Sequence, residues 1–227
     1  VPSPLFSGTS SRASLAVVSS STPPVMGWAR ACPWTRVTVV RSEGGRTWAE
    51  ESASLNVTGL LPSQVIGEMI RNHEVLSVEI IEKRQIQPAS LDLRLDGLAY
   101  RVRSSFLPGR DKSVRESLRD VTMGEVDLRG GAILEKGCVY IVPLKESVAL
   151  PSRIIAVANP KSSIGRLDIF TRLITDEATE FDRVQSGYSG PLYAEISPRA
   201  FTVIVREGSS LNQVRFRRGN PNNSDAS

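Results

Sequence analysis

Short runs in which polar and apolar residues alternate, cut by glycine and proline, constrain this chain more than any other feature. Ser90-Leu91-Asp92-Leu93-Arg94-Leu95 alternates strictly, and Ala99-Tyr100-Arg101-Val102-Arg103 repeats the pattern. Side chains on a strand point to opposite faces in turn, so each run reads as a half-buried strand. Cys138 to Leu144 reads as a strong strand and Ile154 to Ala158 as a buried one. Val126-Asp127-Leu128 and Ala132-Ile133-Leu134 flank Gly130-Gly131 as short strands, and Phe106-Leu107-Pro108-Gly109 is a turn signal. Leu167 to Ile174 alternates again, and Pro191 to Ile196 forms a further strand. Only two stretches have a helical period. One runs from Pro62 to His73 with Val65, Ile66, Met69 and Ile70 on one stripe, and the other covers Ser113 to Leu118. Many short strands with Gly/Pro turns predict a mainly β sandwich or barrel with one or two short helices, not a βαβ fold.

The first 57 residues differ in kind. They are rich in Ser, Pro, Thr and Gly, hold all three tryptophans, and carry no acidic residue before Glu43. Residues 1–57 are expected to be a disordered or loosely attached extension, residues 58–219 the folded domain, and residues 220–227 a polar tail. The segment lacks the charged start and sustained apolar stretch of a signal peptide, and no run approaches the roughly 20 apolar residues that span a bilayer. A net charge of +4 is too mild to argue for nucleic acid, although it suits a small polyanionic ligand such as a nucleoside triphosphate. Neither nucleic acid nor membrane is expected as a partner. The two cysteines, Cys32 and Cys138, are far apart and suggest no disulfide framework, so a reducing, cytoplasmic setting is expected. Cys138 reads as a small core residue. With His73 as the single histidine, a zinc site of the His-Cys-Cys or His-x-x-x-His type has too few donors.

Two places hold the chemistry. After the apolar run, Asn159-Pro160 breaks the strand, and Lys161-Ser162-Ser163-Ile164-Gly165-Arg166 follows as a turn. Two cations, two hydroxyls and a glycine within six residues can present positive charge and N–H groups to an anion. A solvated loop has the same composition. In Pro191 to Ile196, the period of two puts Leu192, Ala194 and Ile196 on one face and Tyr193 and Glu195 on the other. A carboxylate in an apolar core is costly, so Glu195 must meet solvent, a partner charge or a site.

Taken together, Gln87-Pro88-Ala89-Ser90-Leu91-Asp92-Leu93-Arg94, Pro160-Lys161-Ser162-Ser163-Ile164-Gly165-Arg166-Leu167 and Gly190-Pro191-Leu192-Tyr193-Ala194-Glu195 resemble the three landmark stretches of the dCTP deaminases, members of the dUTPase-like superfamily. Ser105 to Gly109, Gly137 to Tyr140 and Gln213 to Gly219 resemble the amino-terminal half of a long, duplicated bacterial type. The resemblance implies a distorted jelly roll, or β-clip, assembled as a homotrimer with sites at subunit interfaces. It implies hydrolysis of dCTP to dUTP and ammonia without zinc, using Mg²⁺ held mainly by the triphosphate.

Matched by motif position, Glu195 takes the role of general acid/base, while Ser162 and Arg166 orient the water and stabilise the tetrahedral centre. Lys161 and Ser163 face the phosphates, Asp182 bonds the deoxyribose 3′-hydroxyl, and backbone from about Ala178 to Phe181 reads the pyrimidine edge. The Gln185-Ser186-Gly187 turn is longer than its counterpart in short deaminases. The family's closing carboxy-terminal segment or second half would lie beyond Gly219, so closure is expected from elsewhere. Two other functions fit the same residues. One is a dUTP pyrophosphatase or bifunctional enzyme in which Asp182 activates water against the α-phosphate. The other is a non-catalytic half that binds nucleotide and builds the trimer.

Overall fold

In a computed structural model of the chain, residues 58–219 are described. The expected extension 1–57 and tail 220–227 lie outside the described residues. The first half runs β1 (Gly59–Leu60), α1 (Ser63–Arg71), β2 (Val75–Ser77), β3 (Ile86–Gln87), β4 (Ser90–Leu93), β5 (Leu98–Val102), α2 (Val114–Val121), β6 (Thr122–Asp127) and β7 (Ala132–Leu134). The second half runs β8 (Val139–Ala149), β9 (Ile154–Pro160), α3 (Ser162–Arg166), β10 (Ile169–Thr175), β11 (Arg183–Val184), β12 (Ser189–Pro198), β13 (Val203–Val205) and β14 (Asn212–Arg218).

These strands build two antiparallel six-stranded sheets. The first has the order β11-β9-β14-β4-β3, with β1 paired to the end of β14. The second has the order β10-β12-β8-β5-β6, with β2 paired to β8. A two-stranded ribbon, β13-β7, completes the fold. Neighbours in space are mostly distant in sequence, as a distorted jelly roll requires. The core lies between the sheets: Leu91, Leu93, Ala156, Ala158, Val214 and Phe216 of the first meet Tyr140, Val142, Leu173, Leu192, Ala194 and Ile196 of the second. Each fully buried large apolar side chain contributes about 1.5–3 kcal/mol, so this seam dominates stability.

A second, smaller cluster covers the outer face of the second sheet. Val102, Ile141, Ile174 and Tyr193 pack there against Val114 and Leu118 of α2. Ile141 and Tyr193 thus face away from Tyr140, Val142, Leu192 and Ala194, as a period of two demands. Helix α2 starts on a reciprocal cap in which Ser113 and Glu116 bond each other's backbone N–H, and Asp176 Oδ1 accepts from Val114 N at 2.8 Å.

Helix α1 buries Val65, Ile66 and Met69, as its spacing predicts. It ends where His73 takes a left-handed φ of 59°, with Glu74 N donating to Met69 O and His73 N to Ile70 O. Two wrapped-back bonds of this kind satisfy the last carbonyls, so His73 is a cap residue. One expectation needs correction. Lys161 to Arg166 is not an open turn: a one-turn helix, α3, begins at Ser162, and Pro160 ends β9 instead of lying beyond it. Cys138 packs against the edge of the core. It is half-buried, and its Sγ accepts from Arg101 Nη2 at 3.1 Å. Among the described residues no helix is long and apolar enough to cross a membrane.

Candidate active site

Strand β12 places Glu195 between Ala194 and Ile196, whose side chains enter the core, so Glu195 points outward from the second sheet. Directly across the ladder on β10 is Arg172. Its Nε and Nη2 both donate to Glu195 Oε1, at 3.1 and 2.6 Å. Nη2 also donates to Ser105 Oγ at 2.8 Å, and Ser105 donates in turn to Glu195 Oε2 at 2.7 Å. Above them the Arg172 guanidinium lies 3.5 Å from the Phe181 ring centroid and 4.8 Å from that of Phe170.

Glu195 is only 1% exposed, and an ionised carboxylate so enclosed is costly unless paired and hydrogen-bonded. Arg172 and Ser105 supply both conditions. Of the environments open to Glu195 from its strand pattern, the structure selects a partner charge.

Asp182 closes one side of this arrangement. Its backbone has a left-handed φ of 62°, its N–H donates to Leu173 O at 2.9 Å, and its Oδ1 accepts from Leu173 N at 2.7 Å. Burial pushes the Asp182 carboxyl above the usual range, against the lowering pull of the Leu173 N–H and the Arg172 charge. Glu195 adds a smaller upward push. Ala178 is buried in the small outer cluster, and its carbonyl already accepts from Gly109 N at 3.1 Å. It also lines a cleft of about 260 Å³ between the 175–180 segment and the Gln185-Ser186-Gly187 turn.

The remaining candidates lie elsewhere. Lys161, Ser162 and Ser163 line a cleft of about 420 Å³ on the outer face of the first sheet, together with Ser90, Asp92, Gln213 and Arg215. Lys161 is paired with Asp92 Oδ2 at 2.5 Å. Arg166 is exposed at the last turn of α3. Since Glu195 looks out from the other sheet, its hydrogen-bond partners are Arg172 and Ser105, and neither Ser162 nor Arg166 is among them. Within one chain the Glu195 carboxylate and the Lys161–Arg166 segment therefore lie on the outer faces of different sheets.

The model of the 2′-deoxycytidine 5′-triphosphate deaminase N-terminal domain matches residues 57–220. The chain belongs to the dCTP deaminase family. It is 26% identical over 158 residues to the "dCTP deaminase, dUMP-forming" of Coprothermobacter proteolyticus, a match covering 69% of this chain and 81% of that one. A relative of the same description from Corynebacterium jeikeium is 30% identical over 158 residues, covering 68% and 79%. Among solved structures, the 2′-deoxycytidine 5′-triphosphate deaminase of Agrobacterium tumefaciens is 56% identical with a TM-score of 0.70. That match covers 71% of this chain and 49% of the Agrobacterium chain, so the present chain spans about half its length.

Arg172 and Ser105 escaped the motif reading. Arg172 sits on the outward face of its alternating strand, where an arginine is ordinary. Only the register of β10 on β12 brings it to Glu195. Ser105 opens the Ser105-Phe106-Leu107-Pro108-Gly109 stretch, whose resemblance to the long family type was the one sign of it.

Proposed function

We propose that this chain catalyses the hydrolytic deamination of dCTP to dUTP and ammonia in the cytoplasm, as a step of pyrimidine deoxynucleotide metabolism, with Glu195 as general acid/base and without zinc. The observation that carries this reading is the enclosed Glu195 carboxylate, held at both oxygens by Arg172 and Ser105, in a chain of this family. Water adds to C4 of the cytosine while Glu195 takes its proton. The same carboxyl passes that proton to ring N3, then takes the second proton from the new C4 hydroxyl and gives it to the departing amine, and the C4–N bond breaks to release ammonia and leave the C4 carbonyl. Such positioned proton transfer contributes about 10²–10⁴-fold. Arg172 keeps the carboxylate oriented through the cycle.

The hydroxyl and cation that orient the water are Ser162 and Arg166 of the partner subunit, since within one chain they lie apart from Glu195. A homotrimer with each site shared between two copies satisfies this separation. A zinc mechanism would need a His/Cys donor set that a single histidine and two distant cysteines do not supply. Among the described residues no group of three or more His, Cys, Asp or Glu could hold a metal ion. The proposed Mg²⁺ therefore arrives on the triphosphate, with phosphate oxygens and water as ligands.

A second reading, deamination followed by loss of pyrophosphate, is favoured by the description of the two curated relatives as dUMP-forming. In it Asp182, close to Glu195 and Arg172, activates a second water. Incubation with dCTP and Mg²⁺, with nucleotides resolved by ion exchange and ammonia assayed, decides between them. The expected product is dUTP. Formation of dUMP and pyrophosphate establishes the second reading, and dCTP recovered intact with no ammonia overturns both.

A further inference from the structure

The cleft on the outer face of the first sheet has a charge balance that the motif alone misassigns. Lys161, the cation expected at the phosphates, is already answered by Asp92, a side chain 8% exposed that lies beneath it. A cation paired at 2.5 Å with a buried carboxylate adds little net attraction for an incoming anion. The other cation lining the cleft is Arg215. Its neighbours on β14, Val214 and Phe216, enter the core, so Arg215 points outward, and it is exposed. It makes no ion pair among the described residues.

The polar groups around it are biased toward donation. Gln213 accepts from Ser90 Oγ at 2.9 Å through Oε1, which leaves its amide N–H₂ to donate. Ser162 and Ser163 bring two exposed hydroxyls on the same lining. The cleft thus holds one guanidinium without an ion pair, one amide and two hydroxyls, with Asp92 bonded to Lys161 through Oδ2 and its Oδ1 buried without a hydrogen-bond partner among the described residues. That is the donor set of a phosphate site, and a planar guanidinium meets phosphate oxygens in pairs where an ammonium meets them as a point.

We propose that Arg215 is the residue that recognises the polyphosphate chain of the ligand in this cleft, with Lys161 serving to hold Asp92 and the start of α3 in place. This deepens the nucleoside-triphosphate reading, on which it rests. A free phosphate chain and a nucleotide present the same chemistry to Arg215, so the test uses both.

Calorimetric titration of the full chain and of Arg215→Ala with dCTP, inorganic tripolyphosphate and deoxycytidine measures the contribution. Loss of a charge-assisted contact predicts binding of dCTP and tripolyphosphate weakened about 10- to 100-fold in the variant. Their affinity also becomes less sensitive to salt, while any deoxycytidine binding is unchanged. Arg215 is exposed, so the variant folds, which circular dichroism verifies. Arg215→Lys recovers only part of the affinity. Equal tripolyphosphate affinity in the wild type and Arg215→Ala, or no tripolyphosphate binding by the wild type, overturns the proposal. Arg215-dependent tripolyphosphate binding in a protein that leaves dCTP intact sustains this site and removes the deaminase reading instead.

Discussion

Arg172 and Glu195 face each other across the β10–β12 ladder, and two nitrogens of the guanidinium converge on one carboxylate oxygen. The pair lies on an outward face that also carries Ile174, Tyr193, Phe170 and Ser197. Its geometry is fixed by backbone register, by the ring of Phe181 above it and by Ser105 beside it. That rigidity is what a carboxylate needs if it is to meet water and a pyrimidine in one orientation.

Replacing Glu195 by Gln keeps the shape and removes the proton acceptor. Ammonia release from dCTP is expected to fall by about 10²–10⁴-fold. Ser105 can still bond the amide oxygen, so the variant is expected to keep its far-ultraviolet circular dichroism. Full turnover by this folded variant would remove Glu195 from its assigned role.

Arg172→Ala leaves an enclosed carboxylate without its counter-charge, which costs about 3–5 kcal/mol for a buried pair. Arg172 retains 23% side-chain exposure, so water reaching the site is expected to hold the loss to the lower end. Arg172→Lys keeps the charge but not the two-nitrogen grip, and is expected to lose less. Urea unfolding at neutral pH gives both numbers. An alanine variant as stable as the wild type would mean that solvent already screens the pair.

The two separated halves of the site make a mixing experiment informative. Glu195→Gln and Arg166→Ala are each expected to be inactive alone. Unfolded together and refolded, they regain about a quarter of wild-type activity, because random assembly of a shared interface forms some sites with both native residues. Activity that stays at the level of either parent would place each site within one chain.

Asp182 should make stability depend on pH. Burial raises its carboxyl pKa above the unfolded value of 3.8, so the folded state binds the proton more tightly than the unfolded chain does. Stability contributed by that proton is present at low pH and is lost as pH rises from 3.8 through the folded pKa. Asp182→Asn keeps an oxygen for the Leu173 N–H and removes the titration. The variant's unfolding free energy, measured by urea titration at several pH values, is expected to fall less steeply across that window. A slope unchanged from wild type would assign the pH dependence to other groups, such as Asp176, whose carboxyl burial also raises.

Much of the fold was legible in the chain. The alternation in Ser90 to Leu95 and in Pro191 to Ile196 sorts the core-facing from the other side chains of β4 and β12, because a strand's period of two is a local property, but β4 is buried on both faces and not half-buried, since Asp92 and Arg94 are covered by their charged partners. The stripe Val65, Ile66 and Met69 gave α1 for the same reason, its period being 3.6. Lys161 to Arg166 was harder. Its Ser, Gly and Arg content reads as a turn, and its single helical turn follows from the placement of Lys161, whose N–H bonds Leu211 O on the approach to β14. Cys138 does pack against the core, and what its apolar run does not reveal is that Arg101 comes alongside from β5.

Alternation, turn residues and motif order mark a mainly β chain of the dCTP deaminase family, with Glu195 on the strand face opposite Leu192, Ala194 and Ile196. Those properties depend on neighbours in sequence and on motif order. Which charges meet is set by the fold: Glu195 with Arg172, Lys161 with Asp92, and Arg215 with neither carboxylate. Pairs such as Lys161 and Asp92 are separated by dozens of residues, and strand register, which no local pattern encodes, brings them together.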